Sequence, residues 1–444
     1  MTAREAALAV WEAALAAGDV APLVRRAIGV DGRALVVGDR RVEPAPAGRV
    51  LVLGCGKASG AMALAVEDLL GDRLAGGFVV VKDGYGAPTR RVRVAEAGHP
   101  VPDARGREAA ERIVRLARQA GAGDVILFLI SGGGSALTPA PAPPITLEEK
   151  QAVTRLLLGA GATINELNAV RKHLSLLKGG QLARAAAPAA VATLILSDVV
   201  GDPLDVIASG PTAPDPTTFA DALEVLARRD VARAAPPSVM ARLEAGRRGE
   251  IEETPKPGDA LFERVTNVVI GNNALVVDAA AARARALGYA PRVLTRALQG
   301  EAREVARDLV ARARALPPPA CLIAGGETTV TVQGGGRGGR CQEFALAAAL
   351  AMEAGEPLVA LAAGTDGTDG PTDAAGGVVD AGTTARGRRA GLDAARSLQD
   401  NDAHAFLAAA GDLIVSGPTR TNLLDVYILV RPVCPAGGRS GPSS

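Results

Sequence analysis

The chain has 444 residues, of which 48% are hydrophobic, 22% are charged and 2% are aromatic, and its net charge is +1. This length exceeds the size at which one hydrophobic core usually stops growing, so two domains are expected. The balanced charge, with no basic stripe and few aromatic side chains, argues against nucleic-acid binding.

The start of the chain and its cysteines indicate a cytoplasmic protein. The first twenty residues carry charged side chains within an apolar pattern, which predicts an amphipathic helix and not a signal peptide. No apolar run approaches the roughly 20 residues that span a bilayer. Cys55, Cys321, Cys341 and Cys434 are scattered without a CxxC pair, which is typical of a reducing compartment and argues against a structural zinc or a disulfide framework.

The first half of the chain alternates β-rich runs with helical patterns. Strands are expected at 49–54, 78–83, 91–97, 125–131 and 191–198. Continuous apolar strands that alternate with helices indicate a parallel sheet covered on both faces. Ligands bind such sheets beyond the carboxyl ends of the strands, and three of these strands end in GCGK, SGGGS and SDVVGD. An α/β domain with its polar chemistry at one edge is therefore predicted.

The stretch GCGKASGAM at 54–62 separates an apolar strand from a helical pattern, an arrangement that commonly holds a phosphate. Gly54 and Gly56 half-match the dinucleotide-binding fingerprint, and Asp83 lies where that fingerprint places its ribose-binding acid. Lys57 departs from it, because a fixed cation suits a centre where negative charge moves, as in phosphoryl transfer. A tight turn with a solvated lysine is the alternative.

The next glycine turn, SGGGSAL, follows the apolar strand at 125–131. It combines glycine N–H groups with two hydroxyls, which predicts an anion-binding nest. The residues of this nest are Ser131, Gly132, Gly133, Gly134 and Ser135. A flexible turn without a ligand is the alternative, and no P-loop pattern occurs in the chain.

The segment TINELNAVRKHLS at 163–175 places Asn165, Asn168 and Arg171 on nearly one helix face. This face either points into a binding cleft or merely includes a helix cap. His173 is expected to be structural.

Carboxylates follow the strand at 191–198. Ser197 and Asp198 stand at its end, and Asp202 follows. Oxygen ligands beside phosphate-binding turns suit Mg²⁺, and a capped loop is the alternative. His99, in GHPVPD, is expected to be an ordinary loop residue.

Residues 230–260 are rich in Pro, Gly and charge, which predicts a surface connection. A second α/β series follows. We expect an N-terminal domain at 1–240, a linker at 241–260 and a C-terminal domain at 261–433, with the active site in the cleft between the domains. Strands of the second domain are expected at 266–271, 291–296, 321–332, 358–364 and 424–430.

The second domain has a polar segment after its third strand. Glu327 follows a double glycine, and a hairpin with a glycine-rich turn is expected to lead to Arg340, Gln342 and Glu343. Arginine suits bidentate recognition of a carboxylate or phosphate.

Two further polar segments precede the end of the second domain. GTDGTDGPTDAAGG carries Asp366, Asp369 and Asp373 but lacks the spacing of a calcium-binding EF-hand. SGPTRTNLLD supplies Thr421 and Asn422 before the last strand.

Taken together and in this order, these motifs resemble the glycerate 2-kinase family, whose C-terminal part is called the MOFRL domain. The resemblance covers nearly the whole chain, from GCGKAS through SGGGSAL, NAVRKHLS and SDVVGDPLDVIASGPT to GGETTV and GTDGTDGPTDAAG. The family usually has Asn where this chain has Cys341, and it has Gly and Asn where this chain has Arg420 and Leu424.

The resemblance implies ATP- and Mg²⁺-dependent phosphorylation of D-glycerate at its 2-hydroxyl. It also implies a Rossmann-like N-terminal domain and a second, MOFRL-type α/β domain. Lys57 and Arg340 are the expected charge stabilisers, and Asp198 and Asp366 are the expected metal ligands or bases. The polar residues that match the family's cleft are Lys57, Asp198, Glu327, Arg340, Asp366 and Asn422.

Two other functions are consistent with parts of the sequence. An NAD(P)H-dependent hydroxypyruvate reductase would use the half-matched fingerprint, but it requires a histidine with a carboxylate partner, and the chain has three histidines in all. A non-enzymatic nucleotide-binding protein would not need so many polar residues at strand ends.

Overall fold

A computed structural model describes residues 1–433, so Cys434 lies outside the described residues. No single helix of residues 1–433 is long and apolar enough to span a bilayer, and among these residues only the bent pair of helices Ala3–Ala17 and Val20–Ala27 meets that requirement jointly. The described residues form sixteen α-helices: α1 (Ala3–Ala17), α2 (Val20–Ala27), α3 (Ser59–Leu70), α4 (Ala104–Arg118), α5 (Gly134–Leu137), α6 (Leu147–Gly159), α7 (Ile164–His173), α8 (Gln181–Ala186), α9 (Phe219–Arg228), α10 (Pro237–Arg247), α11 (Asn273–Ala286), α12 (Ala302–Ala315), α13 (Arg340–Ala351), α14 (Thr383–Arg389), α15 (Ala394–Gln399) and α16 (Ala403–Ala410). They also form fifteen strands: β1 (Ile28–Asp31), β2 (Ala34–Val37), β3 (Arg40–Val42), β4 (Val50–Cys55), β5 (Leu74–Lys82), β6 (Val92–Ala97), β7 (Val125–Ile130), β8 (Ala190–Leu196), β9 (Val265–Gly271), β10 (Ala290–Leu298), β11 (Ala320–Gly326), β12 (Val359–Gly364), β13 (Gly376–Asp380), β14 (Leu413–Ile414) and β15 (Asp425–Arg431).

The described chain divides into two compact units. The first unit comprises Val20–Gly271 with Arg420–Asn422, and the second comprises Met1–Asp19, Asn272–Thr419 and residues 423–433. These units differ from the predicted ranges 1–240 and 261–433. Helix α1 packs against α11 and β15 of the second unit. Strand β9 pairs with β8 of the first unit.

The first unit contains a six-stranded sheet in the order β6-β5-β4-β7-β8-β9. All neighbouring strands are parallel, and the chain order reverses between β4 and β7, as in the Rossmann fold. All six residues of β7 are buried, as a strand covered on both faces requires. The predicted parallel α/β sheet is confirmed. The placement of the strand at 266–271 in the second domain is wrong, because this strand is β9 of the first sheet and its pairing partner cannot be identified from a short apolar run.

Two apolar cores fill the first unit. One joins the sheet to α4 and α8 and includes Phe128, Ile113 and Leu182. The other joins α6, α7, α9 and α10 and includes Val170 and Phe219. A small antiparallel sheet, β1-β2-β3, was not expected from the sequence.

The second unit contains a mixed sheet in the order β10-β11-β15-β12-β13-β14. Strands β10 and β11 are parallel, and the other neighbours are antiparallel. Helices α12 and α13 pack against this sheet around Phe344 and Tyr427. The predicted second α/β domain is confirmed.

The hairpin predicted after β11 is wrong. Residues 327–339 form no strand beyond an isolated bridge between Thr329 and Glu301, and side chains hold the backbone after that bridge. Thr331 N donates to the Glu301 carboxylate at 3.1 Å. The N–H groups of Gln333 and Gly334 donate to Asn401 Oδ1 at 2.8 and 2.9 Å. These bonds replace a strand ladder.

Candidate active site

The predicted phosphate-binding turns of the first unit lie side by side. Gly56 and Lys57 follow β4, and residues 131–135 follow the neighbouring strand β7. Gly54 lies inside β4, where a Cβ would be only 2.6 Å from Leu129 O. In open α/β sheets, ligands bind outside the carboxyl ends of the strands where the strand order reverses, and this reversal lies between β4 and β7.

Close contacts join the two turns. Lys57 N donates to Gly132 O at 2.9 Å. Ala58 N donates to Ser131 Oγ at 2.8 Å. Gly56 has a φ of +129°, and a Cβ at this position would overlap Ser131 Oγ, so only glycine fits here. The backbone therefore fixes the position of Lys57 at the strand reversal.

A carboxylate and an amide lie against the second turn. Asn422 Nδ2 donates to Asp198 Oδ2 at 3.1 Å. A Cβ on Gly132 would overlap both groups, so the glycine permits their close approach. Ser197, before Asp198, continues the sheet ladder because its N–H donates to Gly271 O at 2.9 Å. The fold thus brings Asp198 and Asn422 to one glycine turn, although 224 residues separate them.

His99 also borders this turn. Gly133 has a φ of +83°, and a Cβ at this position would lie 2.9 Å from His99 Nε2 and 3.6 Å from Lys57 Cγ. The sequence did not mark His99 as a site residue, although it stands in the GHPVPD motif. The His99 imidazole and the Lys57 side chain therefore both lie close to Gly133.

The remaining predicted residues of the first unit surround the second turn or support it. Ser135 Oγ lies 3.0 Å from Ser209 Oγ, which donates to Asn168 Oδ1 at 3.0 Å. Arg171 lies one turn further along α7. Thr421, beside Asn422, is buried. Ser209 was not predicted from the sequence, because serine in a loop carries no distinguishing pattern.

In the second unit, Arg340 is held by two carboxylates. Its Nε and Nη2 donate to Asp425 Oδ2 and Oδ1 at 2.6 and 2.9 Å. Its Nη1 lies 2.9 Å from Glu327 Oε1. Burial opposes the charge of the guanidinium, but the adjacent Asp425 carboxylate outweighs that effect and raises the pKa of Arg340. Tyr427 Oη also donates to Asp425, at 3.2 Å.

The geometry leaves Arg340 able to bind a further oxyanion. A guanidinium carries five N–H donors, and the contacts with Asp425 and Glu327 use three of them. One donor remains on each terminal nitrogen, while the bidentate pair fixes the plane of the group. Asp425 was not predicted, because 85 residues separate it from Arg340.

Asp369 caps helix α13. Its Oδ1 and Oδ2 accept from Cys341 N at 3.2 Å and Gln342 N at 2.9 Å, in place of a side-chain N-cap, which Gly339 lacks. Gln342 Nε2 also donates to Asp369 Oδ2, at 3.0 Å. Cys341, where the family usually has Asn, is fully buried.

Gln342 and Glu343 are buried and bonded to protein groups. Gln342 Oε1 lies 2.9 Å from His404 Nδ1. Glu343 accepts from Arg303 at 2.6 Å and from Asn401 Nδ2 at 2.9 Å. These contacts support the start of α13, where Arg340 is located. The ligand contacts predicted for Gln342, Glu343 and Asp369 stay predictions.

Replacing Asp369 with Asn should change how the stability of the protein depends on pH. Burial raises the pKa of Asp369 from 3.8 to about 6, against the opposing effect of the Gln342 N–H. The folded state therefore favours the protonated carboxyl of Asp369. The stability that this preference adds to the folded protein is complete below about pH 4 and is lost as the pH rises through 6. From pH 4 to 7, the free energy of unfolding of the wild type relative to Asp369→Asn should fall by on the order of 3 kcal/mol.

Urea unfolding of both proteins at pH 4, 5, 6 and 7 measures this difference. If the free energy of unfolding of the wild type relative to the variant rises with pH instead, the N-terminus of α13 favours the Asp369 carboxylate more than burial disfavours it.

Asp366 lies in the loop after β12. Its Oδ1 accepts from Thr368 N at 3.0 Å and from Thr368 Oγ1 at 3.2 Å. Its main-chain carbonyl accepts from Thr419 N at 3.4 Å. Within residues 1–433, no three His, Cys, Asp or Glu side chains converge on one possible metal position. The metal roles of Asp366 and Asp198 stay predictions.

Comparison with known proteins places these features in one family. Residues 6–244 match a domain family described as a domain of unknown function, DUF4147, and residues 320–425 match the MOFRL family. A glycerate 2-kinase from Pyrococcus horikoshii is 41% identical over 97% of this chain and 98% of its own. A protein from Agrobacterium vitis, provisionally named a hydroxypyruvate reductase, is 44% identical over 87% of this chain and 88% of its own.

A solved structure agrees with the relationship. The crystal structure of a glycerate kinase from Thermotoga maritima matches with a TM-score of 0.83 and 39% identity, covering 96% of this chain and 99% of that one. The glycine turns, the strand order and the extent of the match lead to one conclusion: the chain belongs to the glycerate 2-kinase family with a C-terminal MOFRL domain.

Proposed function

We propose that this protein transfers the γ-phosphoryl group of ATP to the 2-hydroxyl of D-glycerate, giving 2-phosphoglycerate and ADP. The observation that carries the proposal is the pair of glycine turns at the strand reversal, joined by the bond from Lys57 N to Gly132 O at 2.9 Å. Backbone N–H groups in such turns bind phosphate oxygens. The relatives named glycerate kinase support this choice of substrate. A cytoplasmic location is part of the proposal.

Lys57 and the turn at 131–135 act on the nucleotide in this proposal. The turn holds phosphate oxygens, and the ammonium of Lys57 stabilises the charge that develops on the phosphoryl group as it moves. His99 lies against the same turn and borders the phosphate position. We assign the loop at 364–370 either to the nucleotide phosphates or to the wall of the site.

Arg340 and a carboxylate act on glycerate. The two remaining N–H donors of Arg340 bind the glycerate carboxylate or the phosphoryl group in transfer. The 2-hydroxyl oxygen attacks the γ-phosphorus, the bond from that phosphorus to the oxygen of the ADP leaving group breaks, and the hydroxyl proton passes to a carboxylate. Asp198 and Asp366 are the candidate acceptors of this proton.

Mg²⁺ fits the donor set as an ion held mainly by phosphates. Magnesium usually binds one or two carboxylates and several phosphate or water oxygens. Asp198 supplies such a carboxylate beside the glycine turn, and Asn422 orients it. When bound, the ion would neutralise charge on the nucleotide phosphates. Asp366 is the second candidate ligand.

The alternative of a hydroxypyruvate reductase is separated by two assays of the same preparation. With D-glycerate, ATP and Mg²⁺, we expect ADP release that requires glycerate. With hydroxypyruvate and NADH or NADPH, we expect no loss of absorbance at the nicotinamide band. Oxidation of the nicotinamide without ADP release in the first assay would replace the kinase with the reductase.

A further inference from the structure

Four basic side chains of the first unit lie close together without carboxylate partners. Lys150, Arg171, Lys178 and Arg242 form no ion pair with any other residue between 1 and 433, whereas Lys172 is paired with two carboxylates. Burial lowers the pKa of all four groups, and the charges of Lys178 and Arg171 lower that of Lys150 further. Buried or half-buried cations that lie close together without carboxylate partners are typical of a site that binds an anion.

Lys178 connects this cluster to the glycine turn. It is 1% exposed, and its Nζ donates to Ser135 O at 2.7 Å and to Ser135 Oγ at 2.9 Å. An ammonium has three protons, so one donor is left. Burial, and then the charge of Arg171, lower the pKa of Lys178 to about 7. Both of its hydrogen bonds are to neutral oxygens of the predicted phosphate-binding turn.

Asn168 supplies a second donor without an acceptor. Its side-chain oxygen accepts from Ser209 Oγ, and Ser209 Oγ lies 3.0 Å from Ser135 Oγ, so Asn168 and Lys178 meet at the same serine pair. Asn168 is 3% exposed, and its Nδ2 has no partner among the described residues. A buried donor without an acceptor carries its full desolvation penalty. The amide therefore points to a ligand with free lone pairs.

Helix α7 places Arg171 beside Asn168. The helix begins at a capping box on Thr163 and buries Leu167 and Val170, which fixes its rotation. Residues three apart lie on one helix face, so Arg171 and Asn168 share a face of α7, and the charge of Arg171 acts on Lys178. Arg171 is half-buried, and its guanidinium has no hydrogen bond or ion pair within residues 1–433. Water would satisfy the amide but would leave the two cations uncompensated.

We propose that Asn168, Arg171 and Lys178 bind one oxyanionic group of a substrate, a proposal that rests on the proposed kinase function. All three side chains offer donors to this position, which suits a ligand group that only accepts hydrogen bonds. Two groups of the proposed substrates have this chemistry: a phosphate of the nucleotide and the carboxylate of D-glycerate. The contact of Lys178 with Ser135 places the oxyanion at the end of the glycine turn opposite Ser131.

The test is to compare Arg171→Gln with the wild type in binding and in stability. Isothermal titration calorimetry with inorganic pyrophosphate and, separately, with D-glycerate should show at least tenfold weaker binding of one probe. The melting temperature of the ligand-free variant should stay the same or rise, because an unpaired charge has been removed. Arg155→Gln is the matched control, since Arg155 is an exposed arginine on the neighbouring helix α6.

Each outcome is decisive for the site. Weaker pyrophosphate binding identifies a nucleotide-phosphate position, and weaker glycerate binding identifies a carboxylate position. Lys178→Met, measured in the same way, should weaken the same probe. Unchanged affinity for both probes in both variants, or a wild type that binds neither probe, overturns the proposal. Turnover of D-glycerate with ATP by the wild type is measured in parallel, so failure of the site and failure of the kinase function are distinguished.

Discussion

Lys57→Ala is expected to lower kcat for glycerate phosphorylation by at least a hundredfold. This is the scale of losing one preorganised group that stabilises transition-state charge, about 2.7–4 kcal/mol. Lys57 follows β4 at the strand reversal, and its backbone N–H is bound to Gly132 O at 2.9 Å. That bond remains in the alanine variant, so the turn keeps its anchor while the ammonium is lost. KM should change less than kcat, because the interaction strengthens as the phosphoryl group moves.

The control for this variant is Lys82→Ala. Lys82 ends the neighbouring strand β5, and its ammonium lies 5.5 Å from the centre of the Tyr85 ring. Steady-state kinetics of Lys82→Ala should resemble those of the wild type. Turnover by Lys57→Ala near the wild-type rate would contradict the role proposed for Lys57.

Arg340→Met should have two large effects, one on activity and one on stability. Activity should fall at least a hundredfold, because the donors proposed to bind an oxyanion are removed. The free energy of unfolding should fall by about 3–5 kcal/mol, the typical effect of breaking a buried ion pair. Asp425 has no exposed surface, so the variant leaves a buried carboxylate without the cation that neutralises it, and the neutral Tyr427 hydroxyl at 3.2 Å does not replace that charge.

The double variant Arg340→Met, Asp425→Asn separates these effects. It removes the orphaned charge, so most of the lost stability in urea unfolding should return while activity stays low. Arg314→Met is the control, because Arg314 pairs with Glu356 in the same unit at 2.7 Å, and the Glu356 side chain is 12% exposed whereas that of Asp425 is fully buried. Recovery of activity in the double variant would show that Arg340 only neutralises Asp425.

The position of the two glycine turns at one edge of the first sheet was predictable from the sequence. Parallel strands end at one edge, so the glycine turns after β4 and β7 had to be near each other. The contact between Asp198 and Asn422 was not predictable from local pattern, since it depends on residues 420–422 joining the first unit. The family resemblance implies both residues as site residues but does not imply that they are in contact.

The features that the sequence did not predict have a common physical cause. Each depends on hydrogen bonds to residues that are distant in the sequence. The strand predicted at 321–332 ends at Gly326, and Glu301 and Asn401 supply hydrogen bonds to the segment that follows, which the predicted hairpin would have supplied. No sequence motif distinguishes Lys178, although it is one of six lysines in the chain. Its significance comes from burial and from Ser135, neither of which leaves a spacing pattern. The interdomain position of the active site stays a prediction.

The most direct test of the proposed function is ³¹P NMR of the product made from D-glycerate, ATP and Mg²⁺. The 2-hydroxyl assignment predicts that the resonance of 2-phosphoglycerate appears together with those of ADP and grows as ATP is consumed. A resonance of 3-phosphoglycerate, or ATP consumption that is independent of glycerate, would contradict it.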